Sequence, residues 1–243
     1  MGRHGLAHEQ AMRGTTVDSA ALYRLLTWFS PAFPIGAYSY SHGLEYAVAQ
    51  GWVKNRESLT RWIRAMLLCG SGAVDGAIFC AAWREASAGS APGLKEVAGF
   101  AAAFRPSSEI ALESMAQGAA FASMVGEMSC DHPMLAEIAR EMSGRVAYPV
   151  AAGVACAGGE IPVDAGVQAY LHGFAANLVS AGVRLIPLGQ VDGLRAIKAL
   201  EPNVLDSAMQ ALETPLELLA SSTPMVDWTS VQHETQRTRL FRS

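Results

Sequence analysis

Apolar residues in this chain recur every three to four positions and do not alternate, a pattern that leaves helices as the building material. Leu59, Trp62, Ile63, Met66 and Leu67 fall at i, i+3, i+4, i+7 and i+8, which lines them along one side of a helix. Val167, Tyr170, Leu171, Phe174 and Leu178 repeat the spacing, and that stripe runs on towards Leu185. Val, Ile and Thr gather nowhere into period-two runs, while Ala, Leu, Met, Glu and Gln dominate. These residues give up little side-chain freedom in a helix.

Start and stop signals divide the chain into elements. Asn55, Ser107 and Asp131 have the side chains of N-caps, and Pro162 and Pro202 suit first-turn positions. Thr214-Pro215-Leu216-Glu217 reads as a capping box opening a further helix. Gly51 closes a short helix that begins near Ser41, with Val53 placed for a hydrophobic contact behind it. The glycines from Gly70 to Gly76 break or kink a long helix pair, and Ala86–Gly93 reads as a surface loop. With no linker, repeat or low-complexity tract, the expectation is all-α: a single-domain helical bundle of roughly ten helices over residues 18–243. Residues 1–17 form a flexible N-terminal tail in this reading.

Composition narrows the function. Hydrophobic residues make up 51% of the chain and charged residues 16%, against about 25% charged in an ordinary soluble domain. So few charges predict apolar surface buried against partners, and oligomerisation. The net charge of −4 and the absence of Lys/Arg runs argue against nucleic acid, whose phosphates demand a clustered basic face. Cys69, Cys80, Cys130 and Cys156 form no CxxC pair and no zinc-like cluster, so buried free thiols in a reducing cytoplasm are expected. The polar N-terminus lacks the apolar core of a signal peptide. Met66–Trp83 and Tyr148–Val163 are apolar but broken by Gly, Ser, Asp or Glu, and neither reads as a span of about 20 apolar residues. The reading is a soluble, cytoplasmic protein with no membrane partner.

Three stretches hold more specific chemistry than a helical core needs. In Ser30–Glu45 two prolines hold Ser30 and Phe33 extended, and Gly36 permits a tight turn. The resulting stiff loop delivers Tyr38, Tyr40, Ser41, His42 and Glu45 close together. In Pro187–Gly193 an apolar helix stops and the chain restarts with Gln190 and Asp192 at a helix N-terminus, where Asp192 would offset the helix dipole or contact another chain. The third stretch is the tail, with His233, Glu234, Arg239, Leu240 and Phe241. A solvated tail gains nothing from Leu240 and Phe241, so docking is expected.

Enzyme machinery is sparse. There is no GxSxG elbow, P-loop, GxGxxG after a strand, HExxH or usefully spaced carboxylate pair. Ser41 and His42 are neighbours in sequence and therefore diverge on a helix. No permanent cofactor or metal site is expected, with at most transient metal contact at His42 or His233. A helical enzyme with an acid–base site around His42 and Glu45 remains as an alternative.

Together SPAFPIGAYSYSHGLE (30–45), NLVSAGVRLIPLGQVDG (177–193) and HETQRTRLFRS (233–243) resemble the UreF family of urease accessory proteins. The resemblance runs from about Leu22 to Ser243 and is weaker over 86–145. Val191, Leu194 and Arg237 depart from the family pattern, which often has polar residues at the first two and an aromatic at the third. The resemblance implies an all-α, non-catalytic scaffold or chaperone that dimerises and binds UreD (also called UreH). With that partner it recruits and regulates the GTPase UreG, and nickel passes through the complex into the urease apoprotein. It also implies that Tyr38 and Arg239 support each other, and that the tail orders when UreD/UreH binds. Partner contacts are then expected at Tyr38, Ser41, His42, Glu45, Gln190, Asp192, His233, Glu234, Arg239, Leu240 and Phe241, and a soluble nickel-storage protein is a further alternative.

Overall fold

The computed structural model describes residues 17–128 and 133–243. The expected N-terminal tail over 1–17, apart from Val17, and the expected cap at Asp131 lie outside the described residues, as does Cys130. The described residues form eleven α-helices and two single 3-10 turns, with no strand among them. In chain order the helices are α1 (Ser19–Trp28), α2 (Leu44–Ala49), α3 (Arg56–Cys69), α4 (Ser71–Ser87), α5 (Ala91–Ala103) and α6 (Ser108–Glu127). They continue with α7 (Pro133–Glu141), α8 (Tyr148–Gly158), α9 (Val163–Leu185), α10 (Gln190–Glu213) and α11 (Pro224–His233). The all-α bundle expected from periodicity is therefore what the chain forms.

The core is built around α8, a helix without a charged residue whose side chains from Pro149 to Cys156 are all buried. It lies between α4 and α6, and it approaches both closely because the contact points are glycines. A Cβ on Gly153 would come within 2.5 Å of the Phe79 carbonyl oxygen of α4, and one on Gly118 of α6 would collide with the Val146 carbonyl. Small residues thus let helix backbones approach to a distance that larger side chains forbid. Outside this centre, α9 and α10 pack as a pair, and α10 also covers α3 and α4.

Many local signals act as the sequence suggests. Asn55 caps α3 through the Ser58 amide and forms a reciprocal box with Ser58, and Ser107 caps α6 through the Ile110 amide. Gly51 takes a left-handed φ of 73° after α2, with Val53 buried behind it. Gly70 separates α3 from α4. The apolar Arg56–Ser87 stretch has mean hydropathy 1.6 over its strongest window, yet 67% of that window is buried. It consists of two core helices on either side of a break.

Four expectations change. Pro202 lies inside α10, not in a first turn. It faces solvent, where the carbonyl it frees can be hydrated, while Ala196, Leu200, Val204 and Ser207 hold the opposite face in the core. Thr214 ends α10 by donating its hydroxyl to the Gln210 carbonyl (2.8 Å), so no side chain caps the next segment and only one 3-10 turn, Leu216–Leu218, forms there. The loop at Ala86–Gly93 shrinks to residues 88–90, because Ser90 caps α5 and Pro92 fits its first turn. Cys69 is exposed, whereas Cys80 and Cys156 are buried, and burial pushes the Cys80 thiol up to about 12.

The glycine contacts make a measurable prediction. Gly153→Ala should destabilise the fold by about 1–3 kcal/mol through overpacking. Gly126→Ala, in α6 with nothing near its Cβ position, should be neutral or stabilise by up to about 1 kcal/mol. Denaturant unfolding of both variants checks the contrast.

Candidate functional site

Between α1 and α2 the chain crosses the surface in a stiff loop. Gly36 adopts φ 75° and opens the 3-10 turn Ala37–Ser39. His42 and Gly43 then take consecutive left-handed conformations, φ 58° and 76°. Gly43 is needed there twice over, since a Cβ would also sit 2.8 Å from the Ser230 nitrogen of α11. These bends aim Ser41 and Glu45 inwards and leave Tyr38 outside, 70% exposed.

The tail after α11 closes over this loop. Ser41 donates through its amide and its hydroxyl to the Ser243 carbonyl (2.8 and 2.5 Å). The Arg242 amide donates to the Ser39 carbonyl (2.8 Å). Glu45, buried at the start of α2, accepts the amides of Leu240 (2.7 Å) and Phe241 (3.0 Å). Phe241 is buried and Leu240 is exposed. A carboxylate that receives two N–H groups at once fixes a strand of tail as firmly as a helix cap fixes a turn.

Behind Glu45 stands a charged cluster on the first turns of α6. His233, fully buried, places Nε2 3.1 Å from Glu45 and Nδ1 2.6 Å from Glu109. The imidazole thus bridges the two carboxylates, one at each ring nitrogen. Arg239 donates to the other Glu109 oxygen (2.5 Å), so Glu109 bridges Arg239 and His233. Glu234 accepts the amide and hydroxyl of Ser108 (2.9 and 2.6 Å) at the start of α6, and the Ser108 hydroxyl bond holds its carboxyl below the usual range. One turn further on, Glu113 accepts from Ser243 Oγ (2.6 Å) and Gln117 (3.2 Å).

The structure brings most of the sequence-selected residues into this one assembly: Ser41, Glu45, His233, Glu234, Arg239, Leu240 and Phe241. His42 lies at its inner edge, with its ring against Phe174 and Nδ1 3.4 Å from Glu113 outside hydrogen-bonding geometry. Neither ring nitrogen has a hydrogen-bond partner among the described residues. His42 and Glu45 therefore engage different neighbours. Both His233 nitrogens face carboxylates in this arrangement. Asp192 stands apart, in the first turn of α10, 3.3 Å from both Arg56 and Arg195. That is the dipole-compensating role with two cations added.

One expected pairing is replaced. Arg239 does not support Tyr38, because Glu109 draws it to α6. Arg184, in the last turn of α9, takes that place: its guanidinium lies 4.1 Å from the Tyr38 ring centroid and 4.3 Å from that of Phe241, and it donates to the Tyr38 carbonyl (2.9 Å). Sequence reading missed Arg184, Glu109 and Glu113. The i, i+4 spacing of Glu109, Glu113 and Gln117 on one face of α6 is a signal that could have found two of them.

Beneath the loop is a cavity of about 670 Å³, lined in part by Phe33, Tyr38, His42, Glu113, Arg184 and Gln190. Its wall carries a buried ion pair, Arg105–Asp75 at 2.7 Å, with the Tyr170 hydroxyl donating to Asp75 (3.0 Å). Burial and the Asp75 charge drive the Tyr170 hydroxyl well above its ordinary range. Arg105 Nη2 has no partner among the described residues. The cavity is thus aromatic on its sides and polar in its depth.

The described residues thus form a helical bundle whose polar groups clasp a terminal tail against a stiff loop. The chain belongs to the UreF family, whose model matches residues 53–201. It is 48% identical over 229 residues to the urease accessory protein UreF of Granulibacter bethesdensis, covering 94% of this chain and 97% of that one. It is 46% identical to the UreF of Rhodopseudomonas palustris strain BisA53 (93% and 94% covered) and 45% identical to that of Bradyrhizobium sp. strain BTAi1 (94% and 95%). These relatives are named as accessory proteins, a non-catalytic role.

Glu45→Ala removes the two oxygens that accept the Leu240 and Phe241 amides. The Leu240 and Phe241 amides should then lose their protection in hydrogen–deuterium exchange, with a stability loss of about 1–3 kcal/mol because the His233 ring is left half-partnered. Unchanged protection at those amides would show that the tail is held elsewhere.

Proposed function

We propose that this chain is a cytoplasmic scaffold for urease maturation, which binds UreD/UreH and with it recruits and regulates the GTPase UreG on the urease apoprotein. The observation that carries this reading is the joining of loop and tail into one surface. Tyr38 and Leu240 (65% exposed) project from backbone that is pinned on both sides, so the surface offers an aromatic and an aliphatic side chain on a rigid mount. GTP hydrolysis belongs to UreG in this scheme, and nickel is cargo. The cavity beneath Tyr38, with Glu113, His42 and Asp75 in its wall, is the stretch of interior through which that cargo would pass. Exposed apolar residues on α1 (Leu22, Tyr23 and Leu26) and at the start of α10 (Val191 and Leu194) support dimerisation and partner contact in a chain with little surface charge.

The acid–base reading has less support, since Glu45 is committed to the tail and His233 while His42 faces Glu113 and Phe174. For nickel storage, no group of three or more His, Cys, Asp or Glu side chains is placed to hold a metal ion among the described residues.

Co-purification with UreD/UreH and UreG tests the proposal. The full chain should retain both partners. Tyr38→Ala should fold normally and weaken UreG recruitment by about tenfold, the loss of one buried anchor. Deleting residues 237–243 should weaken it further. A folded chain that retains neither partner would overturn the reading.

A further inference from the structure

We infer that Arg184 is the positioning residue through which the docked tail sets Tyr38. The inference rests on the reading that Tyr38 belongs to the partner-receiving surface. Tyr38 is held from outside its own turn at two points, and Arg184 supplies both, one to the backbone carbonyl and one to the ring face. Phe241, the buried end of the tail, packs against the same guanidinium. Arg184 is itself restrained, since Nε donates to the Ser180 carbonyl (3.3 Å) one turn back on α9. Phe241 is placed by its amide on Glu45. The chain of contact therefore runs from Glu45 to Phe241, to Arg184, to Tyr38.

The chemistry selects arginine. A flat guanidinium can lie against aromatic rings and still donate in its own plane to a carbonyl, whereas an ammonium is a hydrated point charge that cannot do both. Two backbone bonds offer a rival link from tail to loop, Arg242 to Ser39 and Ser41 to Ser243. They end on the residues after Tyr38 and touch neither its ring nor its carbonyl.

Hydrogen–deuterium exchange on the full chain separates the two links. The Ser39 and Tyr40 amides, which donate to the Gly36 and Ala37 carbonyls (3.0 and 3.1 Å), report on the turn that carries Tyr38. Phe241→Ala should speed their exchange by about tenfold, Arg184→Ala should do the same, and the double variant should add nothing. Arg184→Lys should keep the thermal midpoint yet fail to restore protection. If Phe241→Ala acts as strongly without Arg184 as with it, or if lysine restores protection, the inference is wrong. In the recruitment assay Arg184→Lys should lower UreG retention by about tenfold, and wild-type retention would overturn the role in docking. Should the unaltered chain retain no UreG, the functional reading fails, while the exchange measurements still decide whether Arg184 is the link.

Discussion

The site depends on one buried carboxylate. Glu45 stands at the start of a six-residue helix too short to be stable by itself, and it is withdrawn from water, a state that a charged group sustains only with partners. It finds them in two tail amides and one ring nitrogen of His233. Loop, α2, α11 and tail are thereby joined at a single functional group, although they lie nearly two hundred residues apart in sequence. The neighbouring Glu109 repeats the arrangement with the other ring nitrogen and Arg239. The tail is held by compensation of buried charge, by hydrogen bonds to Ser39 and Ser41, and by an apolar plug at Phe241.

That clasp works because the frame beneath it is rigid. Helix α6 presents Glu109 and Glu113 at fixed separation, and its own position is set by the backbone approach to the segment leading into α8 at Gly118. Helix α9 carries Arg184 and Phe174 on the other side of the cavity, held against α10 and α4. The glycines at helix contacts and the carboxylates at the surface are thus parts of one device. Close packing leaves the helices little freedom to slide, so side chains placed on them keep their spacing.

Much of this was legible in the sequence, for identifiable reasons. Apolar spacing in 59–67 and 167–178 depends only on helical geometry, and it located α3 and α9. Gly36, Gly51 and Gly70 act through backbone conformation, which is local, so they read correctly as a turn, a helix end and a break. Pro202 and Thr214 misled because tertiary contact overrode local preference: the buried face of α10 keeps the helix running through a proline, and the Thr214 hydroxyl turns back to Gln210. The tail contacts were legible only as an expectation of docking, drawn from Leu240 and Phe241 at the end of a polar segment. Which carboxylate meets which amide depends on the bundle bringing distant segments together, and no local signal encodes that. Arg184 stood inside the 177–193 segment that carries the family resemblance, yet nothing there marks it off from an ordinary last-turn cation offsetting the helix dipole.

The sparse charge of the chain acquires a second meaning from the structure. Of the few acidic residues, Glu45, Asp75 and Glu113 are buried, with Glu109 nearly so, and Arg105 is withdrawn with them. The exterior is therefore poorer in charge than the composition alone suggests, and apolar side chains such as Val191 and Leu194 at the head of α10 stand in the open. Charge that would ordinarily keep a monomer well solvated instead builds the tail clasp and the depth of the cavity. A protein organised this way has both the ordered polar interior and the apolar outside that an assembly component needs. The two properties follow from a single distribution of charge.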